Sequence, residues 1–205
     1  MARPTTPLLS VEKIARAALH LVDTTGELTM AQLARALGVR PSSLYHHVPG
    51  REAIIESVRA AVFAEQHLDV DAGTDADQPV EERLAQLLRG YRDAFARHPR
   101  LIPVLTAHTV SAPEVLAIYS ALATLLARWG VTDEHLLDAV TILDCFVIGA
   151  ALDVTAPEEV WSPSGAESPE LRRALAVAPT GRARADQSFE IGLRVLLGGL
   201  ATLRP

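Results

Sequence analysis

Apolar positions recur at intervals of three and four residues through most of the chain, which is the period of an α-helix. Ser10 and Thr29 are residue types that cap helix N-termini, and a segment with this period begins after each of them. Gly26 and Gly38 follow the last apolar positions of these two segments. No stretch alternates apolar and polar residues between turn signals, as a half-buried strand would. The pattern therefore predicts an all-α protein.

Turn-forming residues place the ends of these helices. Two short helices follow the first one, and Pro41 suits the first turn of the third because proline lacks the N–H that is unpaired there. The first predicted helix begins after Ser10 and is stopped by Thr24-Thr25-Gly26, and the second begins after Thr29 and ends at Gly38. The other predicted helices span 42–48, 51–66, 80–97, 101–108, 113–129, 133–154 and 185–203. The segment 69–79 predicts a loop, and 155–184 predicts a long connection with a short helix at 169–177.

The net charge of −6 is unevenly distributed along the chain. Residues 1–66 carry a net charge of +1 and residues 67–205 a net charge of −7. No acidic residue occurs between Glu27 and Glu52. The basic side chains in that gap are Arg35, Arg40, Arg51, His46 and His47. A local basic patch of this kind allows an acidic protein to bind DNA.

Other functional classes find little support in the sequence. The longest apolar run, 145–152, is too short to span a membrane, and the N-terminus lacks the apolar core of a signal peptide, so we expect a cytoplasmic protein. One cysteine excludes a disulfide framework, and the adjacent His46 and His47 point too far apart on a helix to chelate one ion. We find no phosphate loop or nucleophile elbow, and predict no enzyme activity, cofactor or metal site.

The informative stretch is 28–51, LTMAQLARALGVRPSSLYHHVPGR. Two short helices separated by Gly-Val-Arg have the outline of a helix-turn-helix, in which small Ala34 allows close helix crossing and Gly38 takes the left-handed turn. The second helix presents polar side chains suited to phosphates and base edges in a major groove. On geometry alone, a compact helical hairpin that binds nothing is the alternative.

These residues resemble the tetracycline-repressor family of bacterial transcription regulators. The matching pattern is Gly-Val-x-x-x-Ser-Leu-Tyr-x-His-Val, preceded by Leu-Thr-x-x-x-Leu-Ala-x-x-Leu, and it extends over residues 10–66. YRDAFARHPRL and SFEIGLRVLLGGL resemble the family's C-terminal domain. The resemblance implies a DNA-binding domain at 1–50, a connecting helix at 51–68 and a ligand-binding and dimerisation domain at 79–205.

The resemblance also implies which residues meet DNA. Thr29, Ser43, Tyr45, His47 and Arg51 match positions that touch mainly the backbone. Three residues, Arg40, Pro41 and Ser42, match positions that face bases, and His46 adds a polar group facing the groove. Ala31 and Pro41 replace an arginine and a glutamine of the classical repressors, so a different operator sequence is expected. Tyr45 could instead pack half of its ring in the core.

A ligand pocket is expected between the fourth helix and the helical core. The expected lining is mostly apolar with a few polar anchors, and suits a small, flat hydrophobic molecule. His67, His108 and Asp153 match drug- and magnesium-binding positions of the tetracycline repressors, although Leu87 replaces an amide, which argues against tetracycline itself. The predicted lining is His67, Leu87, Tyr91, Leu105, His108, Phe146 and Asp153.

The resemblance implies a homodimer paired through the last two long helices. The last helix carries the stripe Phe189, Gly192, Leu196, Gly199 and Leu203, whose glycines allow close approach of a partner helix. The alternative is an internal core helix, since Leu193, Leu197 and Leu200 form a second apolar face.

Together these features predict a regulator, most simply a repressor, that binds a pseudo-palindromic operator as a dimer and is released by its ligand. Activation of transcription is compatible with the same residues. A helical adaptor that binds no specific DNA, or an enzyme that kept a vestigial helix-turn-helix, are the rival interpretations.

Overall fold

The computed structural model describes residues 9–65, 78–162, 164 and 168–204. Within these ranges the chain forms helices and no strand, which confirms the all-α prediction. The helices are α1 (Val11–Thr25), α2 (Met30–Leu37), α3 (Pro41–Tyr45), α4 (Arg51–Glu65), α5 (Val80–Arg97), α6 (Ile102–Thr106), α7 (Pro113–Trp129), α8 (Asp133–Asp153), α9 (Pro169–Val177) and α10 (Gly181–Leu200). Short 3₁₀ turns at Pro99–Leu101 and Ala201–Leu203 precede α6 and follow α10.

The first helices begin and end where the sequence indicates. The Ser10 side chain accepts a hydrogen bond from the Lys13 N–H at 3.1 Å, and the Thr29 side chain accepts one from the Gln32 N–H at 3.2 Å. Gly38 has φ +67°, in the left-handed region, and the following Val39 N–H donates to the carbonyl of Ala34. The glycine therefore permits the sharp turn between α2 and α3.

The third helix is shorter than the predicted 42–48, because α3 ends at Tyr45. The N–H groups of His47 and Val48 both donate to the carbonyl of Leu44, at 2.9 and 3.0 Å, so the chain turns instead of continuing the helix. Pro49 follows directly, and a proline disfavours helical geometry in the residue before it.

Buried apolar side chains run from the N-terminal helices into the rest of the chain. Helix α1 packs against α2 and α4, and α4 contacts α5, α6 and α7. Helix α5 packs against α7 and α8, and α10 against α8. Helix α4 thus touches both the N-terminal helices and the C-terminal core.

The inner face of α10 differs from the predicted glycine stripe. Phe189 is 2% exposed, and Gly192 faces the Phe146 ring of the same chain, where an added Cβ would lie 2.7 Å from the ring. The outward stripe is instead formed by Ile191 and Val195, with open space beside Gly199. The prediction that Gly192 faces a partner subunit is therefore wrong, because the bulk of Phe146 fills that side.

Helices α8 and α10 together carry an exposed apolar face. We define the α8/α10 face by its exposed large side chains, Leu137, Ile142, Leu152, Ile191 and Val195. Helix α8 is long and apolar enough to cross a membrane by length and composition, and only 28% of its most apolar window is buried within this chain. One such helix is weak evidence for a membrane span, because core helices of other proteins meet the same criterion.

Candidate nucleic-acid interface and sensing site

Helix α3 presents a polar surface held in place by two apolar anchors. Leu44 is fully buried and Val48 is 3% exposed, whereas Tyr45 is 54% exposed. About half of the Tyr45 surface is therefore in solvent, and a ring packed half in the core stays an alternative. The other exposed residues predicted to meet DNA on this segment are Arg40, Pro41, Ser42, His46 and His47, and Ser43 is half-buried. This surface can donate and accept hydrogen bonds without disturbing the core.

Thr29 and Arg51 flank this surface, and both make bonds within the chain. The Thr29 hydroxyl donates to Gln32 Oε1 at 2.7 Å while it caps α2. Arg51 Nε donates to the carbonyl of Leu28 at 3.0 Å, and Arg51 Nη1 lies 2.9 Å from His108 Nε2. Arg51 thus ties α4 to the loop before α2 and to the segment after α6, in addition to any contact with phosphate.

A buried ion pair on α4 joins that helix to the segment between α6 and α7. Arg59 Nη2 donates to the carbonyls of Leu105 and His108, at 2.9 and 3.2 Å. Glu56 Oε1 lies 3.1 Å from Arg59 Nε. The second Glu56 oxygen accepts from the N–H groups of Ser111 and Ala112, both at 2.7 Å. The pair therefore holds both ends of the 105–112 segment against α4.

A second polar junction links α1 and α4 to the end of α5. His98 Nδ1 lies 2.8 Å from Asp23 Oδ2, and His98 Nε2 lies 3.7 Å from Glu65 Oε2. Arg100 donates to the carbonyls of Asp23 and Thr24. These contacts fix the C-terminal end of α1 to the helical core.

Aromatic rings surround a half-buried carboxylate in the helical core. Tyr91 lies 5.2 Å from Phe63 and 5.3 Å from Phe95 between ring centroids. The Tyr91 and Tyr119 hydroxyls both donate to Asp144 Oδ1, the latter at 3.1 Å. Burial, together with the nearby Tyr119 hydroxyl and Asp144 carboxylate, raises the pKa of Tyr91 well above its usual value. Burial and Asp144 also raise the pKa of Tyr119 to about 12, so both tyrosines remain hydrogen-bond donors at neutral pH.

A stack of side chains lies between α5, α8 and α10. The Phe146 and Phe189 rings are 5.3 Å apart and nearly parallel, with an interplanar angle of 8°. The Arg92 guanidinium lies 4.6 Å from the Phe189 ring centroid, and its Nη1 donates to Asp186 Oδ1 at 2.7 Å. The stack forms a flat apolar wall with a cation at its end.

The residues predicted for the pocket fall in different surroundings. Leu87 and Leu105 are buried core residues, Tyr91 belongs to the aromatic cluster, and Phe146 lies in the stack. His108 lies beside Arg51 near the N-terminus of α4. His67 is outside the described residues.

Asp153 is already neutralised within the chain. Arg184 donates to both carboxylate oxygens of Asp153, at 2.9 and 2.8 Å, and this bonding raises the pKa of Arg184. Arg184 also lies 5.6 Å from the Trp161 ring centroid. The carboxylate therefore ties the end of α8 to the start of α10, and the role of Asp153 as a ligand anchor stays a prediction.

Two open grooves lie on the described surface, and neither is lined by a residue predicted for the pocket. One, of about 930 Å³, runs between α1, α4 and the start of α7 and includes Ala15, Ala60 and Phe63. The other, of about 570 Å³, runs between α5 and α10 and includes Arg89 and Leu193.

Sequence reasoning missed Asp144, Tyr119, Arg92 and the Glu56–Arg59 pair. Asp144 carried a detectable signal, because it is an acid inside the apolar stretch ILDCFVIGAAL. Glu56 and Arg59 have the ordinary spacing of an exposed helical pair, so their burial could not be foreseen. No group of three potential metal ligands occurs in the part of the chain that the structure describes.

The chain is similar to known proteins along most of its length. Residues 73–204 match the family described as tetracyclin repressor-like, C-terminal domain. The HTH-type transcriptional repressor DrrR1 of Streptomyces coeruleorubidus is 28% identical over 82% of this chain, which spans 62% of that protein's length. The tetracycline repressor protein class A from transposon 1721 of Escherichia coli is also 28% identical, over 96% of this chain and 92% of its own.

A solved structure of a possible TetR family transcriptional regulator from Streptomyces coelicolor A3(2) has the same fold. It superposes with a TM-score of 0.76 at 24% identity and covers 95% of this chain and 100% of its own.

Proposed function

Because this chain belongs to the tetracycline repressor-like family, we propose that it is a homodimeric transcription repressor that binds operator DNA and is released by a small molecule. The exposed polar face of α3, seated on the buried Leu44 and Val48, is the observation that carries this function. The repressor names of its relatives support the same assignment. The proposal includes a cytoplasmic location and no enzymatic activity.

The chain divides into a DNA-binding reader at 1–50, the connecting helix predicted at 51–68, and a sensing and dimerisation domain at 79–205. The described part of the connecting helix is α4, and its last residues lie outside the described residues. The match of residues 73–204 to the family's C-terminal domain supports the second boundary. Because α4 contacts α1 on one side and α5, α6 and α7 on the other, it is the physical connection between reader and sensor.

DNA binding is assigned to the surface of α3 and its flanks. Arg40, Pro41 and Ser42 lie at the start of α3 and face bases, since the N-terminal end of a recognition helix meets base edges in this motif. Tyr45 and His47 are exposed near its C-terminal end, where they contact phosphates. The remaining contacts come from Thr29, Ser43, His46 and Arg51.

Dimerisation is assigned to the α8/α10 face. In a monomer its five exposed large side chains would remain in water, and monomeric proteins rarely expose extended apolar patches. A second copy packed on α8 and α10 removes this surface from water and accounts for the low burial of α8 within one chain. It also fixes the distance between the two readers, which the spacing of half-sites must match.

Ligand binding is assigned to the core around Tyr91 and Phe146, where the aromatic cluster and the stack supply apolar contact. Asp144 and its two tyrosines supply a polar anchor. A ligand that binds better when α4 is displaced shifts the two readers to a spacing that no longer fits the operator. The Glu56–Arg59 pair transmits this displacement, since it joins α4 to the segment after α6.

The proposal is tested by selecting bound duplexes from a random pool and measuring affinity at two salt concentrations. We expect one pseudo-palindromic sequence and a Kd that rises steeply with salt. Tyr45→Ala should weaken binding to all sequences, whereas Ser42→Ala should change the preferred bases, with about 1–3 kcal/mol for each lost base contact. Failure to enrich any sequence would contradict the function and favour a helical adaptor.

A further inference from the structure

Arg92 is a buried cation with one side of its guanidinium unpartnered. The residue is 5% exposed, and its Nη1 is committed to Asp186. Asp186 shares its charge with a second arginine, because Arg182 Nε lies 3.4 Å from its other oxygen. Among the described residues, no acceptor bonds to Arg92 Nε or Nη2, although both atoms are buried.

Such an arrangement needs a physical explanation. An arginine cannot lose its proton in a protein, and buried N–H groups of a charged side chain are strongly stabilised by an acceptor. Stacking on Phe189 engages the face of the guanidinium at 4.6 Å and leaves its edge unused. The unused edge is formed by Nε and Nη2. Its two parallel N–H groups are spaced so that both can donate to the two oxygens of one carboxylate.

Arg89, one turn earlier on α5, shows what this edge does when an acid is within reach. Arg89 Nε and Nη2 donate to the two oxygens of Glu190, both at 2.7 Å. This pairing lowers the pKa of Glu190. Arg89 and Arg92 therefore lie on the same helix, but of the two only Arg89 bonds to a carboxylate of the chain through its Nε/Nη2 edge.

We infer that the Nε/Nη2 edge of Arg92 binds the acidic group of the regulator's ligand, which is therefore a flat, apolar carboxylic acid. The half-buried Phe146 ring, which stacks on Phe189 beside the guanidinium, provides the flat apolar surface that such an acid requires. This inference rests on the proposed function and adds to it a charge for the ligand and a residue that selects it.

The test uses the full chain with two probe acids, 2-naphthoate and anthracene-2-carboxylate, and their methyl esters, in fluorescence titrations. We expect at least one acid to bind tenfold or more tightly than its ester, since a charge-assisted bidentate pair is lost in the ester. Arg92→Met should reduce this preference to below about threefold. Arg92→Lys keeps the charge without the fork and should lose most of the preference.

Arg89→Met is the matched control, because its fork is already occupied by Glu190 and its side chain is 47% exposed. It should keep the wild-type preference for the acid. Circular dichroism establishes that each variant is folded, and Arg92→Lys provides the test if Arg92→Met is not. An equal affinity of wild type for acids and esters, or a preference retained in both Arg92 variants, would overturn the inference.

The selected operator separates this outcome from failure of the proposed function. If the wild-type protein binds the operator but does not prefer acids, the proposed regulatory function holds and the inferred ligand class is wrong. If the wild-type protein binds no DNA sequence, the proposed function itself is wrong.

Discussion

Replacing Arg59 with methionine should strongly destabilise the junction between the reader and the sensing domain. The side chain of Arg59 is 6% exposed and that of Glu56 is 11% exposed. The change removes donors from the Leu105 and His108 carbonyls and leaves a buried carboxylate without its cation. Breaking a buried pair in this way costs about 3–5 kcal/mol of the free energy of unfolding.

A double-mutant cycle separates the ion pair from lost packing. Glu56→Gln keeps an oxygen that can accept from the Ser111 and Ala112 N–H groups while it removes the charge. The double variant should therefore be less destabilised than the sum of the single variants, by about 1–3 kcal/mol.

The assay is urea unfolding followed by circular dichroism at a fixed protein concentration, since dimerisation adds to the apparent stability. Arg173→Met is the control, because Arg173 forms a comparable pair with Glu170 on the surface, with side chains 71% and 74% exposed. It should cost less than about 1 kcal/mol. Two results would contradict a buried ion pair at this junction. One is an Arg59→Met variant that loses no more free energy of unfolding than the control, and the other is a pair of single-variant losses that add up to the loss of the double variant within about 0.5 kcal/mol.

Three further predictions test the core and the subunit contact. Because burial raises the pKa of Tyr119 from 10.0 to about 12, its contribution is complete below about pH 10 and is lost as the pH rises to about 12. Tyr119→Phe should therefore flatten the fall in stability over that range by up to about 3 kcal/mol, seen in unfolding curves at each pH. Gly192→Ala should lower the free energy of unfolding by about 1–3 kcal/mol, because its Cβ would meet Phe146 at 2.7 Å; unchanged unfolding curves would contradict this. Gly199 has open space beside it within the chain, so Gly199→Leu should leave folding intact but produce monomers in sedimentation experiments. The exposed Cys145 should then react faster with a thiol label. Labelling at the wild-type rate would argue against the α8/α10 face as the dimer interface.

The helices of the reader could be predicted because their signals are local. Ser10, Thr29 and Gly38 act within four residues of themselves through a cap or a left-handed turn, and the structure shows each doing so. The end of α3 was misplaced because two signals compete there. The apolar spacing continues to Val48, but Pro49 prevents the helix from reaching it.

The orientation of α10 could not be predicted because both of its sides carry apolar residues. A helix with apolar side chains nearly all round gives no preferred direction toward the core. Glycines indicated close approach correctly at Gly192, but the neighbour is Phe146 of the same chain. Small residues show where something packs closely and do not show what packs there.

The polar groups of the sensing domain depend on contacts between residues far apart in sequence. Asp153 looked available because its partner Arg184 is 31 positions away. Tyr91 was predicted to line the ligand pocket, but its hydrogen-bond partners Tyr119 and Asp144 lie on other helices and were not foreseen. Such pairs are fixed by helix packing, which a single sequence does not contain.

In the proposed function, two chains bind one pseudo-palindromic site through α3. This can be measured as the stoichiometry and salt dependence of binding to the selected operator, by sedimentation velocity on labelled full-site and half-site duplexes. We expect two chains on each full site, much weaker binding to a half-site, and a Kd that rises by orders of magnitude between about 50 and 200 mM salt. A single chain bound equally well to half-site and full site, with an affinity independent of salt, would contradict it.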